Sequence, residues 1–228
     1  MQSFDKSSVQ GEIVNRSLRI DVYLDFICPW CLIGKRQMEQ ALARFHAKQA
    51  GVKVEVFWQG VQLLPHLPAQ GEPFAEFYLK RLGSAETVRR RQAQVQQAAA
   101  AVGLDINLTL IDKMPNTADA HRLLERADML GSTAQRDLLL GRLFEAYFQN
   151  GEDLGCTDTL INIAESSGFD RAAVADCLYG DARPFVGKAG PASSVPYFIF
   201  DRRLAMAGAQ PAEVLLGTMC EALLQSTP

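Results

Sequence analysis

The sequence predicts an α/β domain that is interrupted by an all-helical insertion. Short β-rich segments occur only towards the two ends of the 228-residue chain, and the residues from about 73 to 180 are helical in pattern almost throughout. The first β-rich segment leads directly into Cys28-Pro29-Trp30-Cys31. We therefore assign residues 18–72 and 182–228 to the α/β domain, residues 73–181 to the insertion and residues 1–17 to a disordered N-terminal extension.

Two strands and one helix are predicted before the insertion. The apolar run Leu18–Ile27 is typical of a buried strand, and Lys53–Trp58 alternates as a second strand does. The helix between them carries apolar residues at helical spacing, which are Cys31, Gly34, Met38, Ala41, Leu42 and Phe45. Because Gly34 has no side chain, it would allow this helix to approach the sheet closely.

Capping residues and glycines divide the rest of the chain into further elements. The clearest signal is Ser132 with Gln135, which predicts a capping box. The elements are helices from Ser84 to Gly103, from Asn116 to Gly131, from Ser132 to Phe148, over Thr157–Ser167 and over Asp170–Tyr179, a hairpin of Tyr197–Phe200 and Leu204–Ala207, and a last helix from Pro211.

The position of Cys28 at the predicted start of a helix favours ionisation of its thiol. Cys28 precedes a proline, so its backbone should be extended, and Pro29 suits the first helical position. Unpaired N–H groups and the helix dipole favour negative charge there, and such placement lowers a thiol pKa from ~8.5 to roughly 3.5–7.5. Cys31 lies one turn further into the helix and should be more buried. We therefore predict that Cys28 is the nucleophile and that Cys31 is the resolving cysteine.

Two other interpretations of this pair are half of a zinc site and two unreactive thiols. A structural zinc site commonly takes two pairs of ligands, whereas the sequence has no second Cys-x-x-Cys and its three histidines are scattered. A redox-active dithiol without a metal or another bound cofactor is therefore the preferred hypothesis. Cys177 and Cys220 fall on apolar helix faces and are assigned to the core, whereas Cys156 is compatible with an exposed regulatory thiol.

Charge and hydropathy argue against several classes of partner. A net charge of −3 and a pI near 5.7 give no basic surface for nucleic acid or an anionic membrane. The run Arg89–Arg91 is interpreted as a solvated helix face. The N-terminus lacks the apolar core of a signal peptide, and no stretch approaches the ~20 apolar residues that span a bilayer. We expect a cytoplasmic protein whose apolar insertion helices fit either an internal core or a homodimer.

Four groups of residues carry a resemblance to a known family. They are Asp25–Lys35, Pro115–Thr117 with Ala120–Arg122, Val195–Phe198 and Gly208–Pro211. Together they resemble the DsbA family of thiol–disulfide oxidoreductases, in its cytosolic FrnE-like branch, over roughly residues 18–226. The resemblance implies a thioredoxin-like fold with an inserted all-helical domain.

The resemblance also implies roles for residues around the dithiol. Pro196 would be a cis-proline that blocks metal capture and exposes the Val195 backbone for pairing with an extended substrate. The alternative is a trans-proline that begins an edge strand. Trp30 either shields Cys28 and contacts substrate or packs on the insertion. His121 either faces the dithiol groove and hydrogen-bonds substrate or packs between helices.

The chain departs from the family pattern at two places. Thioredoxin carries a buried acid six residues before its nucleophile, where this chain has Val22. Asp25 is then the nearest candidate for moving the Cys31 proton, and its alternative role is to cap or orient the turn. Relatives carry a helix that leads into Gly-Val-Pro, whereas prolines and glycines interrupt residues 182–193 here and Ser194 replaces the glycine.

Three functions are compatible with these patterns. The first is a thiol–disulfide oxidoreductase for protein or small disulfides and dithiols, with glutathione as a candidate reductant or co-substrate. The second is a glutathione-dependent isomerase or transferase for a small aromatic or polyketide-like molecule, because kappa-class glutathione transferases and hydroxychromene-carboxylate isomerases resemble the same inserted fold. Those enzymes usually carry Ser where Cys28 stands, so the intact dithiol favours the first function. The third is a non-catalytic redox sensor.

Overall fold

A computed structural model of the chain describes residues 16–187 and 194–225. The predicted extension at residues 1–17 lies outside the described residues except for its last two. Residues 188–193, which are half of the interrupted segment before Ser194, also lie outside them. The described elements are β1 (Ser17–Leu24), α1 (Pro29–Lys48), β2 (Lys53–Gly60), β3 (Glu72–Pro73), α2 (Phe74–Leu82), α3 (Ala85–Ala100), β4 (Lys113–Met114), α4 (Ala118–Leu130), α5 (Thr133–Phe148), α6 (Thr157–Ser166), α7 (Arg171–Ala175), β5 (Tyr197–Phe200), β6 (Leu204–Ala207) and α8 (Ala212–Gln225).

A four-stranded mixed sheet forms the centre of the α/β part, with the strand order β2-β1-β5-β6. β1 pairs in parallel with β2, and α1 makes the crossover connection that parallel strands require. On its other side β1 pairs antiparallel with β5, which forms a hairpin with β6. β1 has neighbours on both edges and is buried from Ile20 to Leu24, and its polar residues Arg19 and Asp21 pair with each other.

Two apolar clusters stabilise the fold, and α1 contributes to both. The later turns of α1 supply Met38, Ala41 and Phe45 to a cluster that includes residues of β1, β5 and α8. The first turn instead supplies Cys31 and Leu32 to the larger cluster, which is formed mostly by the helical insertion. The start of α1 therefore lies at the junction between the sheet and the insertion.

The predicted α/β architecture with a helical insertion is confirmed, and most of its elements agree closely with the structure. Ser84 caps α3 through its hydroxyl, and Ser132 and Gln135 form the predicted capping box of α5. The hairpin strands have the predicted bounds. Within the described ranges, no helix has the length and apolarity needed to cross a membrane.

The differences lie where local patterns are short. β1 ends at Leu24, because Asp25–Ile27 form a turn rather than the end of the strand. Residues 101–117 are not helical, and they include β4, which pairs with β3 over only two residues on each strand. α7 covers five residues rather than the predicted ten. The helix predicted to start at Asn116 has Thr117 as its N-cap, although the Asn116 side chain still accepts a hydrogen bond from the Ala118 N–H.

Gly34 lies where α1 approaches the sheet most closely. A Cβ atom at this position would lie 3.0 Å from Pro196 Cγ and 3.3 Å from Phe198 Cζ. Phe198 is fully buried and Pro196 is also buried, so neither ring has free space into which it can move. The sequence-based expectation that Gly34 permits this approach agrees with the geometry.

We expect Gly34→Ala to lower the free energy of unfolding by about 1–2 kcal/mol, because overpacking outweighs the gain in helix propensity. The matched control is Gly217→Ala in α8, where an added Cβ would have no atom within 4 Å. That control should raise stability by up to about 1 kcal/mol. Urea unfolding measures both, and equal stabilisation of the two variants would contradict close packing at Gly34.

Candidate active site

The two cysteines of the Cys-Pro-Trp-Cys sequence lie at the predicted strand-to-helix junction. After β1 ends, a turn closed by a 3.1 Å hydrogen bond from the Cys28 N–H to the Asp25 carbonyl leads into α1. Cys28 is the N-cap, with an extended backbone at φ −91° and ψ 108°, and Pro29 is the first helical residue. Both cysteines are free thiols in the structure and both are buried.

The environment makes the two thiols unequal. The pKa of Cys28 is lowered, mainly by a hydrogen bond from the Cys31 side chain, although burial opposes ionisation. The backbone N–H groups of Cys31 and Trp30, at the start of the helix, add to the lowering. The pKa of Cys31 is raised well above its usual value, first by burial and then by its interaction with Cys28. The sequence thus indicated the correct direction for Cys28, but the helix start is a smaller cause than Cys31.

Val195 and Pro196 lie beside the dithiol, next to the start of α1. The peptide bond between them is cis, the isomer that the resemblance implies. The Cys28 thiol donates a hydrogen bond to the Val195 carbonyl, with 3.7 Å between sulfur and oxygen. This contact is available only to the protonated thiol. It places a backbone acceptor next to the atom that would react.

Asp25 is fully buried behind the dithiol and holds the turn through its side chain. Its carboxylate accepts hydrogen bonds from the Leu63 N–H at 2.7 Å and from the Ile27 N–H at 3.4 Å. Its negative charge raises the pKa of both Cys28 and Cys31. Val22, at the position of the thioredoxin acid, is buried in the sheet cluster. Asp25 is therefore the carboxylate that acts electrostatically on this dithiol.

His121 is the partner of Asp25 and has no exposed side-chain surface. Its Nε2 lies 3.2 Å from Asp25 Oδ1, so the ring proton that faces the carboxylate is on Nε2. The ring is enclosed between Phe26 and Phe185, at centroid distances of 4.9 Å and 5.0 Å. Among the described residues, Nδ1 finds no hydrogen-bond partner. His121 therefore contacts Asp25 rather than the surface at which a substrate would bind.

A cavity of about 640 Å³ opens beside Cys28, between the start of α1 and the first helices of the insertion. Its walls include Trp30, which also packs against the insertion cluster, so both predicted roles of this residue are compatible with its position. The Arg91 guanidinium lies 5.6 Å from the centroid of the Trp30 ring. Arg89, Arg90 and Arg91 are all exposed, which agrees with the solvated helix face that the sequence predicts, and Arg90 and Arg91 also line the cavity.

The other three cysteines are distant from this site in sequence, and each has different surroundings. Cys177 is buried, donates to the Val174 carbonyl at 3.1 Å and has a pKa raised to about 11 by burial, as a core thiol should. Cys220 is half-buried against the sheet cluster. Cys156 is exposed at the N-cap of α6, where its pKa is lowered by the Thr159 backbone.

Sequence analysis missed the residues that line the cavity across from the dithiol. Phe77 and Tyr78 in α2 are half-buried wall residues, and the pKa of Tyr78 is raised by burial and by negative charge on Cys28. The sequence signal that could have indicated this wall is the group of aromatic residues Phe74, Phe77 and Tyr78, directly after Pro73. α2 packs against α3, which in turn contacts α1, and without that packing the group predicts only a helix with an apolar face.

Comparison with known proteins agrees with this geometry. The chain is 27% identical over 162 residues to the uncharacterised protein YwbO of Bacillus subtilis (strain 168). The aligned region covers 71% of this chain and 72% of YwbO. The crystal structure of a probable DsbA oxidoreductase from Streptomyces coelicolor is similar over 92% of both chains, with a TM-score of 0.76 and 28% identity.

A more distant structure shares the fold alone. A 2-hydroxychromene-2-carboxylate isomerase matches 92% of this chain and 100% of its own, with a TM-score of 0.59 and 14% identity. The sequence model of the family described as "DSBA-like thioredoxin domain" matches residues 19–183, well over half of the chain. The chain therefore has the thioredoxin-like fold with a helical insertion and belongs to the family of DSBA-like thioredoxin domains.

Proposed function

We propose that the protein is a thiol–disulfide oxidoreductase in which Cys28 is the nucleophile and Cys31 the resolving cysteine. The observation that carries this proposal is the geometry of the pair: Cys28 is the N-cap of α1, and Cys31 is buried in its first turn. This placement lowers the pKa of Cys28 and raises that of Cys31. The family and the similarity to a probable DsbA oxidoreductase support it. An inert pair of core thiols would have no reason to differ in this way.

The reaction follows from the chemistry of these two sulfurs. The Cys28 thiolate attacks one sulfur of a substrate disulfide, which breaks the S–S bond, forms a mixed disulfide and releases a substrate thiolate. Cys31 then loses its proton and attacks the Cys28 sulfur, which releases the second substrate thiolate and leaves a Cys28–Cys31 disulfide. The substrate gains two electrons and the dithiol loses two. The same steps in reverse oxidise a substrate dithiol.

Asp25 is proposed as the proton acceptor, and His121 as its positioning residue, for the second half of this reaction. Cys31 must lose a proton before it attacks, and its pKa is raised well above the usual value, in part by the charge of Asp25. His121 Nε2 lies 3.2 Å from Asp25 Oδ1. We infer that His121 orients the Asp25 carboxylate so that it accepts the proton that Cys31 loses.

Val195 and Pro196 are proposed to form the edge on which an extended substrate pairs. The Val195 carbonyl already accepts from Cys28, so a substrate backbone bound at this edge would bring its own sulfur close to the nucleophile. We further propose a cytoplasmic setting, membership of the FrnE-like branch and glutathione as a reductant of the oxidised dithiol. A homodimer and a redox sensor without turnover stay hypotheses.

A glutathione-dependent isomerase is the second candidate function. The cavity of about 640 Å³ beside Cys28 favours it, because its size suits a small molecule. An isomerase of this kind would use bound glutathione and would not need Cys31. Activity that survives Cys31→Ser would therefore support the isomerase, whereas a requirement for both cysteines would support the oxidoreductase.

The first prediction concerns the separate roles of the two cysteines. We expect Cys28→Ser to abolish disulfide reduction, because the attacking sulfur is gone. Cys31→Ser should instead accumulate a mixed disulfide at Cys28, because nothing resolves it. Insulin reduction with mass spectrometry of trapped species measures both. Full activity of Cys28→Ser would contradict the mechanism.

The second prediction concerns the cause of the lowered Cys28 pKa. Removal of the donor in Cys31→Ala should raise the Cys28 pKa towards that of a free thiol, so alkylation by iodoacetamide at neutral pH should slow. Cys31→Ser keeps an O–H donor and should retain part of the lowering. The pH dependence of the alkylation rate of Cys28 gives both pKa values. The assignment of Cys31 as the main cause fails if the two variants titrate identically.

The third prediction concerns Asp25. Because its charge raises the pKa of both cysteines, Asp25→Asn should lower both values and speed the first attack by Cys28 below neutral pH. The same change should slow resolution of the mixed disulfide, since the assisting carboxylate is lost.

Asp21→Asn is the matched control, because Asp21 lies on β1 and pairs with Arg19 rather than with the dithiol. Stopped-flow measurement across pH separates the two steps. If Asp25→Asn slows both steps equally and leaves the pH profile unchanged, Asp25 has a structural role only.

A further inference from the structure

The cavity beside Cys28 is built mainly from apolar surface. Phe74 and Tyr78 of α2, Val95 of α3 and Phe148 at the end of α5 face it, together with Trp30. The volume of about 640 Å³ lies within the roughly 300–1,000 Å³ that is typical of small-molecule sites. The nucleophilic cysteine lies in its wall, so a molecule held in the cavity would meet the reactive sulfur directly.

The charged side chains that line the cavity are all positive. Arg81 of α2 and Arg90 and Arg91 of α3 line it, and none of the residues that line it is acidic. Within residues 16–187 and 194–225, no carboxylate forms an ion pair with any of the three. All three side chains are exposed, so their guanidinium groups lie at the mouth of the cavity and are free to bind an anionic group of a ligand.

Two of these cations are held against aromatic rings of the wall. The Arg81 guanidinium lies 5.9 Å from the Phe77 ring centroid, and the Arg91 guanidinium lies 5.6 Å from that of Trp30. Arg91 also donates to the Gln94 side chain at 2.7 Å. Such contacts orient a guanidinium while leaving donors free, which suits recognition of a carboxylate or sulfonate. Trp30 therefore links the anion-recognising end of the cavity to the dithiol.

We propose that this cavity is the substrate site for a small disulfide or thiol that has an apolar body and an anionic group. The proposal rests on the proposed function, because it names the substrate class of the same dithiol. The apolar body lies against the rings of α2 and α3, and the anionic group binds at Arg81, Arg90 and Arg91. With a disulfide substrate, the Cys28 thiolate attacks one sulfur and forms a mixed disulfide, and the departing substrate thiolate takes the electron pair of the broken S–S bond. With a thiol substrate the reaction runs in reverse: the substrate thiolate attacks Cys28 of the oxidised Cys28–Cys31 pair, and Cys31 leaves as the thiolate.

A polypeptide substrate fits this cavity less well than a small molecule. The walls come from α1, α2, α3, the loop after β2 and the end of α5, so they surround a ligand rather than follow an extended chain. The backbone edge suited to a chain is at Val195 instead. Glutathione supplies carboxylates but no apolar body, so it should bind more weakly than an aromatic carboxylate.

Binding can be tested without any thiol chemistry. The fluorescent anion 8-anilinonaphthalene-1-sulfonate should bind the reduced, folded protein, and 4-phenylbutyrate should displace it while 4-phenylbutylamine should not. In Arg90→Gln/Arg91→Gln the Kd of the fluorescent anion should rise about 5- to 10-fold, the range expected for lost charge-assisted hydrogen bonds. Arg89→Gln is the control, because it removes one positive charge from the same helix outside the cavity, and it is compared with each single variant, Arg90→Gln and Arg91→Gln, as well as with the double variant. Equal binding by the double variant and the control would overturn the proposal.

Reaction rates give a second readout. In a Cys156→Ser background, which removes the exposed thiol, Cys28 is treated with 5,5′-dithiobis(2-nitrobenzoate) or with the uncharged 4,4′-dithiodipyridine. Arg90→Gln/Arg91→Gln should slow the first reaction several-fold and leave the second unchanged. A loss of both reactions with anion binding intact would refute the proposed function but not the site. Normal reaction with both reagents in the double variant would refute the site but not the function.

Discussion

The proposed chemistry depends on the interaction between the buried Cys31 thiol and the Cys28 sulfur, which lowers the pKa of Cys28 and raises that of Cys31. Burial alone would raise the pKa of both thiols, since it disfavours the charged form of each. Because Cys31 is the more deeply buried, it keeps its proton and offers that proton to Cys28, whose pKa falls. The N–H groups at the start of α1 act in the same direction. In the proposed mechanism, this difference in burial between two residues in the same helical turn distinguishes the nucleophile Cys28 from the resolving Cys31.

The fold maintains this inequality by packing the two ends of α1 against different surroundings. The later turns of α1 pack with the sheet and α8, while its first turn is embedded in the insertion cluster. Between these two parts of α1, Gly34 allows the helix to contact Pro196 and Phe198 closely. On the interior side, Asp25 and His121 place a carboxylate behind the dithiol. On the other side, the insertion adds aromatic walls and arginines that the sheet could not provide.

The parts of this account that local rules govern could be predicted from sequence. A proline after Cys28 predicts an extended N-cap residue, which is what the structure has, although a turn separates Cys28 from the end of β1. The pairing of Asp25 with His121 spans 96 positions of sequence and depends on how α4 packs, so no local pattern reveals it. A run of arginines predicts a solvated helix face, and only the packing of α3 beside α1 brings Arg90 and Arg91 to the cavity. The two-residue strands β3 and β4 are too short to show any periodicity.

The most direct test of the central claim is a pH titration of the reduced protein in which the Cβ carbons of Cys28 and Cys31 are followed by NMR. The two resonances report each thiol separately, which matters because coupled groups share their macroscopic ionisation steps. The account predicts that the Cys28 resonance titrates below the pKa of a free thiol, while Cys31 stays protonated throughout that step. Simultaneous titration of both residues at the ordinary thiol pKa, or ionisation of Cys31 first, would contradict it.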